Sequence, residues 1–76
     1  MGPVQSVIAT RVPREYEFNT DKREIMEIVS GDLEVLLPDE NGWRAIKDGE
    51  QFEVPAQSNF NLKIKQTTDY CCSFVQ

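Results

Sequence analysis

The sequence predicts an all-β protein that folds as a sandwich or a small barrel. About eight short runs of β-branched and aromatic residues follow one another at close spacing, and clusters of Gly, Pro, Asn and Asp separate them. No segment repeats its apolar residues with the period of a helix. The 76 residues, 1–76, suffice for a single domain. Such a short chain buries only about 60% of the surface that it exposes when unfolded.

Two strands and a loop are predicted at the start of the chain. Val4 to Val12 is rich in β-branched residues, which favour strands. Glu15 to Phe18 alternates, so that Tyr16 and Phe18 share one face. Asn19 to Arg23 predicts a loop, because its charged residues form too short a run to persist as a helix.

A hairpin is predicted in the middle of the chain. Glu24 to Val29 and Leu33 to Leu37 flank Ser30-Gly31-Asp32, and the Gly-Asp pair suits the positive φ values that a tight turn needs. Pro38 to Gly42 is dense in turn residues and leads into another short strand, Trp43 to Ile46.

The last third of the chain predicts three more strands. Lys47-Asp48-Gly49 turns the chain into a strand over Gln51 to Val54, which Pro55 ends. Asn59 to Lys65 and Thr68 to Val75 then alternate, and each places its aromatic and apolar residues on one face.

Composition and charge argue against several classes of function. The net charge is −5 and the basic residues are scattered, so we expect no nucleic-acid partner. The chain lacks an apolar run of membrane-spanning length and the apolar stretch of a signal peptide, which predicts a cytoplasmic protein without a membrane partner. Cys71 and Cys72 point to opposite faces of a strand, so we expect two free thiols, one of them in the core.

Histidine is absent from the sequence. That absence removes the nucleophile systems that pair a serine or a cysteine with histidine. It also removes most zinc, iron and copper sites, which depend on imidazole ligands. We therefore expect neither a metal nor another cofactor.

Two partial motifs occur together in the chain. In the first, Tyr16-x-Phe18 is followed by Glu24 and, after six intervening residues, by Gly31. In the second, Gly49 is followed, after five intervening residues, by Pro55 and further on by Phe60. They resemble the two motifs of the cupin superfamily, in which histidines stand at the positions of the three aromatic residues. The resemblance implies a cupin-type barrel, also called a double-stranded β-helix or jelly roll, with an aromatic pocket instead of a metal site.

Longer stretches resemble one family within that superfamily. They are "EYEFNT" (Glu15 to Thr20), "IMEIVSGDLEVLLPD" (Ile25 to Asp39) and "FEVPAQSNFNLKI" (Phe52 to Ile64). All three are similar to the small pyrimidine/purine nucleoside phosphorylases, a family of bacterial cupins. Members of that family usually begin with an additional N-terminal strand, which we expect to be missing or shortened here. Gln57 stands where many members have histidine.

The resemblance implies an activity and a set of site residues. The reaction would be phosphorolysis of a nucleoside to free base and α-D-ribose 1-phosphate, with a broad substrate range and inorganic phosphate as co-substrate. Glu24 is the candidate catalytic carboxylate, which would stabilise an oxocarbenium-like transition state. Arg11 is the candidate phosphate ligand. The candidate contacts to the nucleoside are Tyr16, Phe18, Gln57, Ser58 and Phe60. The family and the small core also imply a homodimer.

Other interpretations stay open at this point. The chain could be a non-enzymatic cupin that binds a small metabolite, or a metal-dependent cupin enzyme, against which the missing histidines argue. Each candidate residue also has a purely structural alternative. The aromatic residues could belong to the core, Glu24 could be a solvated carboxylate, Ser58 could satisfy its loop and Arg11 could be a surface cation.

Overall fold

Within residues 5–75 the protein forms six β-strands in one antiparallel sheet. A computed structural model describes residues 5–75, and the strands are β1 (Gln5–Arg11), β2 (Glu15–Asn19), β3 (Arg23–Leu36), β4 (Arg44–Lys47), β5 (Gln51–Val54) and β6 (Asn59–Val75). The prediction of an all-β fold is confirmed. Val4, the predicted start of the first strand, lies outside the described residues. Within residues 5–75 there is no helix long and apolar enough to cross a membrane.

The strand count is lower than predicted because two long strands each replace a predicted pair. The predicted hairpin at Ser30-Gly31-Asp32 is wrong: the segments on either side of it both belong to β3 and both pair with β6. The register shifts three times between Ile28 and Leu33, so the chain bends there instead of turning back. In the same way, the predicted strands from Asn59 to Lys65 and from Thr68 to Val75 are parts of β6.

Gly31 allows β3 and β6 to approach each other closely at the bend. Its φ is +140°, a backbone conformation that residues with a side chain rarely adopt. A Cβ at this position would lie 2.8 Å from the Cα of Thr68 on β6. The glycine is therefore required for close packing and backbone conformation rather than for a hairpin turn.

The two long strands divide the sheet into two layers. The N-terminal half of β3 and the C-terminal half of β6 pair with each other and, on their outer edges, with β5 and β1; we call these four segments the β1 layer. The remaining halves of β3 and β6 pair with β4 and β2, and form the β2 layer. Within residues 5–75 no strand pairing joins β1 to β2 or β4 to β5, so closure of the barrel stays a prediction.

Side chains from both layers form one hydrophobic core. Phe52 from the β1 layer and Phe60 from the β2 layer meet edge to face, with ring centroids 6.2 Å apart. The most deeply buried large side chains are Phe60, Ile28, Leu33 and Leu62. Burial of each stabilises the fold by about 1.5–3 kcal/mol. Both cysteines are free and only Cys72 is buried, as the sequence predicted.

Candidate active site

A cavity of about 300 Å³ opens at the β1 layer and reaches the core. Its walls are made by Val7, Ala9, Arg11, Phe18, Asn19, Glu24, Met26, Phe60, Tyr70, Cys72 and Phe74. This volume is at the small end of the range for ligand pockets in proteins. The lining is apolar except for a few polar side chains, a combination typical of a site for a small organic molecule.

Strand alternation explains how these residues reach one surface. Every second residue of a strand points to the same face, and the pairing places three such rows side by side. Val7 of β1 lies opposite Cys72 of β6, and Cys72 lies opposite Met26 of β3. The same rows continue through Ala9 and Tyr70, so inward positions of β1, β6 and β3 become the cavity wall.

Arg11 is held against this wall by contacts that leave the end of its guanidinium group free. Its Nε donates a hydrogen bond to the hydroxyl oxygen of Tyr70 at 3.0 Å. Its Cζ lies 5.4 Å from the ring centroid of Tyr16 and 5.4 Å from that of Phe18. The hydrogen bond to Tyr70 raises the pKa of Arg11 above its usual value. No other hydrogen bond or ion pair engages this guanidinium within the described residues.

Glu24 is the carboxylate of the cavity and is only 9% exposed. The thiol of Cys72 donates a hydrogen bond to its Oε1 at 3.3 Å. Burial, together with that hydrogen bond, raises the pKa of the Cys72 thiol to about 12, so the thiol keeps its proton at neutral pH. The other carboxylate oxygen, Oε2, has no hydrogen-bond partner in the part of the chain that the structure describes. Since every fully buried side-chain oxygen there has a partner, Oε2 must be exposed to the cavity or to solvent. Oε2 is therefore accessible to a bound molecule.

A row of aromatic rings forms the side of the cavity. Phe18 and Phe60 are stacked, with centroids 5.3 Å apart and 26° between their planes. Tyr16 stacks on the other side of Phe18 at 6.0 Å and donates its hydroxyl hydrogen to the carbonyl of Val12. Phe18 and Phe60 thus line the cavity, whereas Tyr16 lies behind Phe18 and contacts Arg11.

Gln57 and Ser58 lie outside this cavity. They border a shallow recess next to the end of β2, and only Asn19 is common to the recess and the cavity. Gln57 is exposed, with a φ of 52°. The polar groups of Ser58 are hydrogen-bonded within the protein. Its hydroxyl donates to the carbonyl of Ala56, and its N–H donates to the hydroxyl of Thr20 at 2.9 Å. The roles predicted for both residues in substrate binding stay predictions.

The described residues do not supply a set of metal ligands. Among residues 5–75 no three side chains of His, Cys, Asp or Glu lie close enough together to hold a metal ion. Of the three positions that correspond to cupin histidines, Phe18 and Phe60 offer no ligand atom, and the Tyr16 hydroxyl donates a hydrogen bond to the carbonyl of Val12.

Comparison with known proteins identifies the family. The family model described as pyrimidine/purine nucleoside phosphorylase matches residues 5–74. The chain belongs to this family. A relative from Wolinella succinogenes, named pyrimidine/purine nucleoside phosphorylase, is 54% identical over 71 residues, which are 93% of this chain and 68% of the relative. The predictions of the family and of an enzyme of the nucleoside phosphorylase type are therefore confirmed.

Solved structures agree with the fold. A Vibrio parahaemolyticus protein of unknown function superimposes with a TM-score of 0.88 at 34% identity, over 92% of this chain and 74% of that one. A cupin-2 domain protein from Shewanella frigidimarina superimposes with a TM-score of 0.78 at 15% identity, over 100% of this chain and 74% of that one. At that identity the second likeness concerns the fold alone, and it confirms the predicted cupin-type architecture.

Several cavity residues were not among the sequence-based candidates. Tyr70, Cys72 and Phe74 alternate at the end of the chain, a signal that also fits ordinary core residues. Only the pairing of β1 with β6 places Tyr70 within reach of Arg11. The sequence predicts Asn19 in a loop, but the structure places it at the end of β2 and at the rim of the cavity.

Proposed function

We propose that this chain catalyses phosphorolysis of pyrimidine and purine nucleosides in the cavity between Arg11 and Glu24. The family match supports the reaction. One structural observation supports the location: a cation and a carboxylate line the same cavity without forming an ion pair with each other among the described residues. The terminal nitrogens of Arg11 are thus free to bind an anion, and Oε2 of Glu24 is free to face a cationic group.

Phosphate binds at Arg11 in this proposal. The terminal nitrogens of the guanidinium present two N–H groups in the fork that matches a pair of phosphate oxygens. Stacking on Tyr16 and Phe18 and the hydrogen bond to Tyr70 restrict the side chain, so less conformational entropy is lost when phosphate binds. Phosphate brought here is already a nucleophile, and the protein needs only to orient it.

Glu24 stabilises the sugar as the glycosidic bond breaks. A phosphate oxygen forms a bond to C1′ of the ribose while the electron pair of the C1′–N bond leaves with the base. The proton that the phosphate carried passes to the departing base, so the products are neutral base and α-D-ribose 1-phosphate. Positive charge develops on the sugar in the transition state, and a carboxylate that is largely shielded from solvent lowers the energy of that charge.

Loose contacts to the base account for a broad substrate range. Phe18 and Phe60 offer ring faces, on which both pyrimidines and purines stack. Rejection of the wrong base requires buried polar groups that are left unpaired by it. Asn19 at the rim is the neighbouring amide that reaches a base edge, and Gln57 and Ser58 contact a substrate that extends beyond it.

The reaction needs neither a metal nor another cofactor in this proposal, since Arg11 and Glu24 supply both charges. Dialysis against EDTA should leave the rate within about twofold of the untreated protein, because no acidic or thiolate cluster is required for phosphate binding. A loss of activity that added Mn²⁺, Fe²⁺ or Zn²⁺ restores would argue for a metal-dependent cupin enzyme instead.

We also propose a homodimer that works in the cytoplasm. Among the described residues, three of the four exposed large apolar side chains lie in β1 or directly after it: Ile8 is 79% exposed, Val12 is 56% exposed and Val7 is 50% exposed. A second copy packed on this strand would remove that surface from water. Two free thiols suit a reducing compartment. Sedimentation should give twice the mass of the chain, and Ile8→Asp should shift the protein to the monomer.

The deciding experiment is a phosphorolysis assay with uridine and adenosine. Each nucleoside is incubated with the protein, with and without phosphate, and free base is followed by chromatography; Glu24→Gln protein serves as the control for contaminants. Phosphate-dependent release of both bases is expected. Release without phosphate would indicate a hydrolase. No release by folded protein would favour a cupin that only binds a small metabolite.

A further inference from the structure

Arg11 and Glu24 are held by two neighbouring side chains of one strand. β6 lies between β1, which carries Arg11, and β3, which carries Glu24. Tyr70 and Cys72 are two residues apart on β6 and therefore point to the same face. Tyr70 accepts the hydrogen bond of Arg11, and Cys72 donates a hydrogen bond to Glu24.

We propose that Tyr70 and Cys72 are positioning residues, which hold the Arg11 cation and the Glu24 carboxylate apart so that one binds phosphate and the other faces the sugar. This inference rests on the proposed function and adds to it the residues that keep the two charges separate. Neither Tyr70 nor Cys72 needs to touch the reacting atoms.

The strand register shows why such separation is needed. Arg11 lies opposite Thr68, and its side chain extends along β6 to Tyr70. Glu24 lies opposite Phe74, and its side chain extends in the other direction to Cys72. The side chains of Arg11 and Glu24 therefore extend toward each other. Their hydrogen-bond partners, Tyr70 and Cys72, are two residues apart on β6, which is about 7 Å. A long arginine side chain can cover such a distance.

A direct ion pair between Arg11 and Glu24 would disable both groups. A guanidinium that binds a carboxylate with its two terminal nitrogens has no fork left for phosphate. A carboxylate so neutralised stabilises a cationic sugar less. Tyr70 and Cys72 each engage only one atom, namely Nε of Arg11 and Oε1 of Glu24. The terminal nitrogens and Oε2 stay available for substrates.

The thiol suits its task because it stays a donor. Its pKa is raised to about 12, so it carries its proton over the whole range in which the protein is expected to work. A thiol is also a weak donor and adds no charge to the cavity. It orients the carboxylate without neutralising it.

A purely structural role makes a different prediction. Tyr70 and Cys72 are 5% and 7% exposed, so both also pack in the core. If packing were their only role, loss of the hydroxyl or of the thiol would lower stability and would affect every kinetic constant alike. The proposal instead assigns Tyr70 to the phosphate side and Cys72 to the sugar side.

The test is steady-state phosphorolysis with Tyr70→Phe, Cys72→Ala and Cys72→Ser. Tyr70→Phe should raise the KM for phosphate about tenfold and leave kcat within about twofold, because a hydrogen bond that holds a charged group is lost. Cys72→Ala should lower kcat about tenfold at an unchanged KM for phosphate. Cys72→Ser keeps a donor at this position and should recover kcat to within about threefold of the parent. Cys71→Ser, on the opposite face, is the matched control and should behave like the parent.

A second measurement separates this inference from the proposed function. Inorganic phosphate should raise the Tm of the parent and of Cys72→Ala protein equally, and Tyr70→Phe should require about ten times more phosphate for the same rise. This difference in phosphate dependence is expected even if the parent releases no base. Failure to release base would count against the proposed function but not against the positioning role of Tyr70. Equal effects of Tyr70→Phe and Cys72→Ala on the same constant, or a Cys72→Ser protein as impaired as Cys72→Ala, would overturn the assignment of positioning roles.

Discussion

The two layers of the sheet share the same long strands but differ in what their inner faces carry. In the β1 layer, β3 and β6 turn Glu24, Tyr70 and Cys72 inward, and β1 adds Arg11. In the β2 layer the same strands turn only apolar side chains inward, namely Leu33, Val35, Phe60, Leu62 and Ile64. One half of each long strand thus contributes the polar site residues. The other half contributes apolar side chains, of which Phe60 also lines the cavity. Substitution of a β2-layer side chain that does not line the cavity should therefore lower stability alone, whereas substitution of a polar β1-layer side chain should lower activity.

The largest effect is expected from a substitution that leaves an empty space in the core of the β2 layer. Leu62 is fully buried, so Leu62→Ala should lower the free energy of unfolding by about 2–5 kcal/mol. Urea denaturation measures this, and kcat per folded molecule should stay within about threefold of the parent because Leu62 does not line the cavity. A loss below about 1 kcal/mol would show that burial of Leu62 contributes little to the stability of the core.

The next effect concerns Glu24 and should fall on activity. Glu24→Gln keeps the size of the side chain but removes the charge that stabilises the sugar, and kcat should fall at least about 100-fold. Thermal unfolding of the same protein should change little, since the amide still accepts the hydrogen bond of Cys72. Activity within a few-fold of the parent would remove Glu24 from the mechanism.

Arg11→Lys should have a smaller effect, confined to phosphate. Lysine keeps the charge but loses the planar stacking on Tyr16 and Phe18 and the Nε hydrogen bond, so the KM for phosphate should rise about tenfold. Arg14→Lys is the matched control: Arg14 also lies over the Tyr16 ring, 5.6 Å from its centroid, but it does not line the cavity. Equal effects of the two changes would argue against a phosphate site at Arg11.

The smallest effect is a pH dependence of stability that belongs to Cys72. The pKa of this thiol is about 12 in the folded protein and 9.0 in its ordinary state, so between those values the folded protein holds a proton that the unfolded chain has lost. Stability from this group is complete below pH 9 and falls by about 1.4 kcal/mol per pH unit above it. Other groups titrate in this range, so the quantity to measure is the difference between the parent and Cys72→Ala from pH 8 to pH 10. A parallel pH dependence of the two proteins would contradict the burial of this thiol.

Part of the site could be predicted because cupin motifs are local patterns. The spacing of Phe18, Glu24 and Phe60 placed all three in one pocket, and the structure brings them together with Arg11. The same motifs suggested the loop at Gln57 and Ser58, which lies across Asn19 from the cavity. Gln57 and Ser58 are close to the pocket residue Phe60 in sequence but do not line the pocket, because their loop is hydrogen-bonded to Thr20.

The bend of β3 shows where local rules failed. Ser30-Gly31-Asp32 has the composition of a tight turn, and the positive φ at Gly31 does occur. The strand nevertheless continues, because the segments before and after the bend both pair with β6. A hairpin and a bend have the same local chemistry, and only the distant partner strand distinguishes them.

The sequence by itself determined the β class, the family, the inward rows of each strand and the lack of histidine ligands, since composition and a period of two residues are properties of the chain. Tertiary structure decided that two long strands run through both layers, that Tyr70 meets Arg11 and that Cys72 meets Glu24. The physical reason is that pairing register is a non-local choice. It depends on which distant strands bury their apolar faces together, and residues 59 and 48 positions apart then come within hydrogen-bond distance.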